Sequence, residues 1–378
     1  TPWPAASWRG RASAAATPEP VDADGDDPVG GGPVGLDLAA LGRWCAERDL
    51  AAPPLRATAY PGGRSNLTAR VEGSDGRALV VRRAPLGGLE HGAHDVLREG
   101  RIMAALAGTG VPVPTVLGTE PDPAVTGAPF LATAVVSGRV VRTAADVADL
   151  PVDVRCAMAA DLARVLARLH TLDPAEVGLG DLGSTSPHVP RLLRRWGGQL
   201  ERARDAERAL LERARDALAA AVPPPGPPRL VHGDYRLDNV VVDPATGRVA
   251  AVLDWELATL GEPLTDLGTL LTAWTEDRDA VVPFPDPPSR APGMPDRAGL
   301  TTAYAGAAGG AVDGAAVRFH TALGHWKLAC IAEGVHRRVA AGQYGDDAAD
   351  VATTSADGAG IGALVAPLAG RALDLLGG

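Results

Sequence analysis

The sequence predicts an α+β protein in two parts, a small antiparallel sheet with one helix followed by a mainly helical region. Short apolar runs separated by Gly- and Pro-containing turns are frequent between residues 55 and 136, and this pattern is typical of antiparallel strands. From residue 153 onward, apolar residues recur mostly at three- and four-residue intervals, which favours helices. A chain of 378 residues is long enough for one two-part unit with a substantial core.

A low-complexity segment precedes the first predicted element. Residues 1–35 are rich in Ala, Pro, Gly and Asp and show no periodicity, so we expect a disordered tail there. Residues 36–50 predict a helix, since Leu38, Leu41 and Cys45 recur on one helical face.

Three strands joined by turns are predicted between residues 57 and 82, and the first turn is rich in glycine. Its sequence is Pro61-Gly-Gly-Arg-Ser-Asn66. Gly62 and Gly63 would let backbone N–H groups approach a phosphate closely, because glycine has no side chain to obstruct them. An ordinary hairpin turn needs the same residues, so the turn alone does not specify a ligand.

The third of these strands ends in two arginines that face opposite sides. Because side chains alternate along a strand, Arg83 shares a face with Leu79 and Val81, whereas Arg82 lies on the other face. Two solvated arginines at the end of a strand would give the same pattern.

Residues 94–106 predict a helix whose apolar face contains a glutamate. Glu99 lies in one stripe with Val96 and Leu106. A carboxylate in apolar surroundings costs free energy unless a cation pairs with it, so Arg82 is the candidate partner of Glu99. A glutamate at the edge of the helix that reaches solvent is the alternative.

The remaining elements are strands and a series of helices. The helix predicted from residue 153 ends at His170, which we interpret as a structural residue rather than a catalytic one. Further elements are predicted as strands after residue 114 and at 129–136, helices at 192–222, 315–341 and 361–376, and a Pro- and Asp-rich loop at 276–298.

The most informative stretch of the chain is a predicted β-hairpin at residues 240–253 with the loop before it. The turn Asp243-Pro-Ala-Thr-Gly-Arg248 joins two apolar runs rich in valine. Asn239 directly precedes the first strand and Asp254 directly follows the second, so both lie at the same end of an antiparallel hairpin. Asp234 lies five residues before Asn239 and can face the same point. Carboxylate and amide oxygens suit Mg²⁺, so we predict a metal site at this end.

These residues carry a family resemblance. The sequence His232-Gly-Asp-x₄-Asn239, followed by Asp254-Trp-Glu256, resembles the catalytic and metal-binding motifs of protein kinases, and within that fold it is similar to the aminoglycoside phosphotransferase family of small-molecule kinases. The stretches Leu260–Gly268 and Gly324-His-Trp-Lys327 look most like the branch that is fused to, or encoded near, acyl-CoA dehydrogenases.

The resemblance implies a protein-kinase-like two-lobed fold and a set of site residues. The small antiparallel-sheet N-lobe would span residues 36–135 and the mainly helical C-lobe residues 136–378. Asp234 would be the catalytic base, and Asn239 and Asp254 would hold Mg²⁺. The expected contacts to ATP are the residues of the glycine-rich turn, a clamping Arg82 positioned by Glu99, and the linker between the lobes: Gly62, Gly63, Ser65, Asn66, Arg82, Glu99, Ala134 and Val135.

Two points about these residues stay open at this stage. Arg83 could replace Arg82 as the phosphate clamp. Asp266 either braces the catalytic loop through backbone N–H groups, as the resemblance implies, or caps a helix.

The resemblance implies an ATP- and Mg²⁺-dependent phosphotransferase that acts on a hydroxyl group of a small molecule. It favours a hydroxyacyl-CoA-type metabolite and a functional link to an acyl-CoA dehydrogenase. The alternatives are a kinase of aminoglycosides or other small molecules, and a nucleotide-binding pseudokinase that acts as a regulator. The preference for ATP over GTP and the oligomeric state are not predicted.

Composition and charge argue against several other classes. The formal net charge is −10 and no basic run is present, so we do not expect a nucleic-acid partner. Cys45, Cys156 and Cys330 are far apart, which argues against a disulfide framework or structural zinc and for a cytoplasmic location. No apolar stretch approaches the roughly 18–20 residues that span a bilayer, so a membrane location is not expected.

Overall fold

The computed structural model describes residues 35–60, 66–84, 95–183, 187–342 and 360–377. The predicted tail, apart from Gly35, lies outside the described residues. Gly62, Gly63 and Ser65 of the glycine-rich turn lie outside them as well.

The N-terminal part is a five-stranded antiparallel sheet with strand order β1-β2-β3-β5-β4. The strands β3 and β5 are central, and Arg82 of β3 is opposite Leu131 of β5. The five strands are β1 Leu55–Ala59, β2 Leu67–Gly73, β3 Ala78–Arg83, β4 Val116–Glu120 and β5 Phe130–Ala134.

Two helices cover opposite faces of this sheet. Helix α1, Leu38–Glu47, packs with Leu79 and Val81 of β3 in one apolar cluster. Helix α2, Val96–Leu106, packs with Leu131 in another. Because neighbouring strand residues face opposite sides, Arg82 lies on the α2 side.

The C-terminal part is mainly helical. Its long helix, Gly314–Ala340, carries Trp326. Trp326 is the largest buried side chain of an apolar cluster that also contains Leu211 and Leu368. The helices are α3 Val152–Thr171, α4 His188–Gly197, α5 Asp205–Ala220, α6 Leu264–Ala273, α7 Arg297–Ala307, α8 Gly314–Ala340 and α9 Val365–Gly377. The sequence did not predict α7, which is short and consists mainly of Ala, Gly and Thr, so that no apolar stripe marks it.

Short strands of the C-terminal part position the candidate site. The predicted hairpin is present: β8, Val240–Val242, pairs antiparallel with β9, Val249–Val252, with Val240 opposite Val252. Strand β6, Arg139–Val140, flanks β8. Strand β7, Arg229–Val231, precedes the hairpin in the sequence, and β10, Thr259–Gly261, follows it. The two strands pair antiparallel.

Among the described residues, no helix is both long enough and apolar enough to cross a membrane.

Candidate active site

A buried carboxylate holds the loop between β7 and β8, which carries the predicted catalytic aspartate. Asp266 of α6 accepts hydrogen bonds from the backbone N–H groups of His232, at 2.6 Å, and Gly233, at 2.8 Å. The His170 ring lies 3.2 Å from the same carboxylate. The residue that caps α6 is Pro263, so of the two roles left open for Asp266 the structure shows the bracing one. His170 accordingly has a structural position, as predicted.

The loop turns sharply at Gly233. Its φ angle is +85°, and a Cβ atom there would lie 2.7 Å from the carbonyl oxygen of Leu257. Both the left-handed conformation and the close approach require glycine. The turn brings Asp234 to the wall of a cavity of about 40 Å³, which Arg236 and Lys327 also line.

Asp234 and Asn239 are in contact. The side-chain amide of Asn239 donates to the backbone oxygen of Asp234 at 2.8 Å and to its Oδ2 at 3.2 Å. Burial raises the pKa of Asp234, but the cations of Arg236 and Lys327 outweigh this effect, so its pKa is lowered overall. Asp234 is therefore an ionised carboxylate that can accept a hydrogen bond from a hydroxyl group.

Asp254 follows β9, the second strand of the hairpin. The Leu253 N–H donates to the Asn239 carbonyl at 2.8 Å, so the ends of the two strands meet as the sequence predicts. Asp254 itself has a left-handed backbone, with φ 63° and ψ 62°. Non-glycine residues in this conformation cost free energy and concentrate at functional sites.

Arg82 joins the sheet to the hairpin. Its Nη2 lies 2.6 Å from Asp254 Oδ1 and 3.5 Å from Glu256 Oε2, and its Nε lies 3.3 Å from Glu99 Oε1. Burial lowers the pKa of Arg82, but the three carboxyl groups outweigh it and raise the pKa. Burial raises the pKa of Glu99 to about 8, since one guanidinium shared among three acids offsets it only in part.

The oxygen donors at this junction suit a magnesium ion. Glu99, Asp254 and Glu256 each offer one carboxylate oxygen within 4.8 Å of the others. Asn239 directs its Nδ2 to Asp234, which leaves its Oδ1 for another partner. Hard oxygen ligands with excess negative charge are what Mg²⁺ requires, so the residues present fit the ion.

The structure separates the two arginines of β3. Arg83 is buried on the opposite face, where it donates to the carbonyls of Ala84, at 3.0 Å, and Gly35, at 3.3 Å. Arg82 is the arginine that faces the hairpin.

The other predicted nucleotide contacts fall in two places. The Asn66 Nδ2 lies 3.5 Å from Glu99 Oε1 and 3.4 Å from Glu256 Oε2. It thus contacts the acidic cluster that Glu99, Asp254 and Glu256 form. Ala134 ends β5, and its N–H donates to the Thr115 carbonyl at 2.8 Å. That N–H is thus already used by the residue before β4, and Val135 is the first residue after β5.

Sequence reasoning did not assign roles to three residues that the structure brings to the site. Glu256 is in the motif, and its place in the acidic cluster depends on the short helical turn after Asp254. Arg236 lies 3.5 Å from Asp234 Oδ1 and stacks on the Phe284 ring. Lys327 donates from Nζ to the Gly233 carbonyl at 2.7 Å. The only sequence feature that sets it apart is the scarcity of lysine in this chain.

Comparisons with known proteins show the family and the fold. The phosphotransferase enzyme family model, APH, matches residues 56–308. A crystal structure from Ralstonia eutropha JMP134, of a protein assigned to the aminoglycoside phosphotransferases, superposes with a TM-score of 0.73 at 30% identity, over 90% of this chain and 98% of that one. Choline kinase from Cryptosporidium parvum Iowa II shares the fold at 10% identity, with a TM-score of 0.59 over 90% of this chain and 95% of that one.

Curated relatives include acyl-CoA dehydrogenase family members. Member 11 from Mus musculus is 33% identical over 288 residues, which are 75% of this chain and 36% of the relative. Across such relatives the matched segments take up 20–38% of the relative's length. The fold is protein-kinase-like and two-lobed, as predicted, and the chain belongs to the phosphotransferase enzyme family.

Proposed function

We propose that this protein is an ATP- and Mg²⁺-dependent kinase that phosphorylates a hydroxyl group of a small metabolite. One observation carries the proposal: two groups of polar residues meet at the end of the hairpin. Arg82, paired with Glu99, contacts Asp254, while Asn239, directly before the first strand of the hairpin, contacts Asp234. A catalytic base, oxygen ligands for a metal and a phosphate-binding cation would thereby lie at the same end of the hairpin.

Asp234 would act as the base. It would accept the hydroxyl proton as the hydroxyl oxygen forms a bond to the γ-phosphorus of ATP. The bond from this phosphorus to the β–γ bridging oxygen breaks, and ADP leaves with the electron pair. Most of the rate enhancement would come from orientation and charge stabilisation, because the reaction requires little covalent chemistry from the protein.

The nucleotide would lie between the two lobes, residues 36–135 and residues 136–378. Arg82 would leave Asp254 and bind phosphate oxygens through its planar fork, with Glu99 fixing its orientation. Asn239 and Asp254, with Glu256 beside them, would hold Mg²⁺, which when bound would neutralise charge on the phosphates. The turn residues Gly62, Gly63, Ser65 and Asn66 would cover the phosphates, and the linker at Ala134 and Val135 would hold adenine through main-chain groups.

The cavity beside Asp234 favours an acceptor that is not a polycation. Asp234 supplies the only carboxylate among the described residues that line it, and Arg236 and Lys327 are the cations. The remaining wall consists of uncharged residues: Thr269, Thr272, Ala273, Phe284, Gly324, Leu328 and Ile331. An aminoglycoside would need acidic partners here, so the hydroxyl-bearing end of a hydroxyacyl-CoA-type metabolite suits the cavity better. The similarity to acyl-CoA dehydrogenase family members supports the same acceptor class.

A pseudokinase regulator is the second candidate. It would bind nucleotide without transferring phosphate. The presence of Asp234 in contact with Asn239 disfavours it, since a regulator has no need of the base.

The decisive experiment is an ATP-dependent metabolite screen with mass-spectrometric detection of phosphorylated products. We expect the wild type to form a phosphorylated product and Asp234→Asn to lose about 10²–10⁴-fold in rate. The variant should keep the thermal shift that Mg²⁺ and ADP induce. Equal rates for Asp234→Asn and wild type would contradict the assignment, and nucleotide binding without any product would favour the regulator.

A further inference from the structure

Lys327 is the single lysine of this chain. The sequence contains 36 lysine and arginine residues, and every other one is arginine. Lysine and arginine are not interchangeable at a packed site: the ammonium is a compact charge with three rotatable donors, and the guanidinium is a broad planar fork. The ammonium of Lys327 can therefore make contacts that a guanidinium at the same position could not.

The single lysine lies at the acceptor side of the candidate active site. It is half-buried on α8, and its Nζ donates to the carbonyl of Gly233, the residue before the catalytic base, at 2.7 Å. Lys327 and Asp234 line the same cavity of about 40 Å³. A cavity of this size accommodates a small polar group beside the base.

Lys327 has hydrogen-bonding capacity left over. Among the residues that the structure describes, no carboxylate forms a salt bridge with its Nζ, whereas Arg236 on the same cavity pairs with Asp238 at 2.9 Å. One of its three N–H donors is used by Gly233. Burial lowers the pKa of Lys327 although Asp234 and Asp266 raise it, so an additional anionic partner would stabilise the charged form.

We propose that Lys327 binds the acceptor. Its ammonium donates to a carboxyl-derived oxygen of the acceptor, a carboxylate or a thioester carbonyl, while Asp234 takes the proton of the hydroxyl group on the same molecule. Lys327 thereby selects acceptors that carry both groups over alcohols that carry the hydroxyl alone. This inference rests on the proposed kinase function and adds an acceptor-specificity residue to it.

Matched acceptors test the proposal. The probes are pentanoates hydroxylated at C2 to C5, their methyl esters, and the diols in which the carboxyl group is reduced. We expect the wild type to prefer acids or esters to diols. Lys327→Met should lower kcat/KM for acids and esters about ten- to hundredfold, the usual effect of losing a charged hydrogen bond, and leave the diols and the KM for ATP within about threefold.

A second substitution controls for loss of positive charge. Arg278→Met removes a cation at a side chain that is 84% exposed and far from the motif in sequence, so it should leave the acceptor preference unchanged. If Lys327→Met lowers kcat/KM for all three acceptor classes equally, the lysine only positions the catalytic loop and the proposal fails. A wild type that prefers diols also contradicts it.

A binding measurement separates failure of this inference from failure of the proposed function. Lysine labelled with ¹³C at Cε gives one NMR signal in this chain, because there is one lysine. In the presence of Mg²⁺ and ADP, the hydroxy acids and esters should shift that signal and the diols should not. No shift with any acid or ester overturns the role of Lys327. A selective shift without turnover of any acceptor supports the binding role and contradicts the kinase function.

Discussion

At the scale of single residues, Arg82 is the side chain on which the candidate site depends most. It is a partly exposed guanidinium among three carboxyl groups from α2, the end of β9 and the turn that follows. In the structure it pairs with acids that could otherwise hold a metal ion. The same side chain therefore pairs with the acids of the site and, by our proposal, would supply the cation for phosphate.

Substitution of Arg82 tests this double role. Arg82→Met should lower kcat/KM for ATP by about 10²-fold or more, as expected for a lost group that stabilises phosphoryl charge. Arg82→Lys should retain the charge and lose the bidentate fork, with a loss of roughly tenfold. Steady-state kinetics over a range of ATP concentrations would measure both. Arg70→Met on the neighbouring strand is the matched control, and an active Arg82→Met would contradict the role.

Residues that depend on neighbours in sequence were predictable, and residues that depend on distant contacts were not. Asp234, Asn239 and Asp254 follow from motif spacing and one hairpin. The partnership of Arg82 and Glu99 could be expected because an acid on an apolar stripe needs a cation. Lys327 could not be assigned, since 94 residues separate it from the Gly233 carbonyl that it contacts.

At the scale of elements, strongly patterned segments were predicted well and weakly patterned ones were missed. The β8–β9 hairpin has β-branched runs around a Pro- and Gly-containing turn, and its pairing matches the prediction. Helices α3 and α8 have apolar residues at helical intervals over 20 and 27 residues. Helix α7 was missed because its only fully or nearly buried residues are Leu300 and Tyr304, too few to form a recognisable stripe.

Helix α6 holds the catalytic loop through Asp266. Burial raises the pKa of this carboxyl group, but hydrogen bonds and the nearby His170 and His232 rings outweigh it, so its pKa is lowered. Asp266→Asn would place an N–H₂ group against a backbone donor. We expect a loss of roughly 3 kcal/mol of unfolding free energy and a fall in kcat of at least tenfold, with ADP affinity unchanged. Denaturant titration and kinetics would measure these effects.

A matched control accompanies this prediction. Asp313→Asn changes an aspartate that caps α8 at the surface, and asparagine caps helices about equally well. It should leave both stability and kcat within error. If Asp266→Asn behaves like Asp313→Asn, the bracing contact is not what holds the loop.

At the scale of the whole molecule, buried titratable groups make stability depend on pH in opposing directions. His320 and His325 of α8 have pKa values lowered to about 4, chiefly by burial. Glu262 raises and His188 lowers the pKa of His320; Asp279 raises that of His325, and Arg297 and Arg371 lower it. Glu99 has a raised pKa of about 8. Between pH 6.5 and 4.5 the unfolded chain gains the histidine protons, while the folded chain holds the Glu99 proton.

The net sign follows from counting these protons. Two histidines bind protons in the unfolded state only, so each makes the unfolding free energy fall as pH drops from about 6.5 to about 4, by on the order of 3 kcal/mol. The single Glu99 acts the other way over part of this range. The nucleotide-free protein should therefore lose stability on acidification.

His325→Asn should reduce the slope of unfolding free energy against pH by about 1.4 kcal/mol per pH unit relative to wild type, because one of the two histidines that cause the slope is removed. Denaturant titrations at pH 6.5, 5.5 and 4.5 measure the slope, and His336→Asn on the same helix is the control. Identical slopes for wild type and His325→Asn would show that this histidine is protonated equally in the folded and unfolded states.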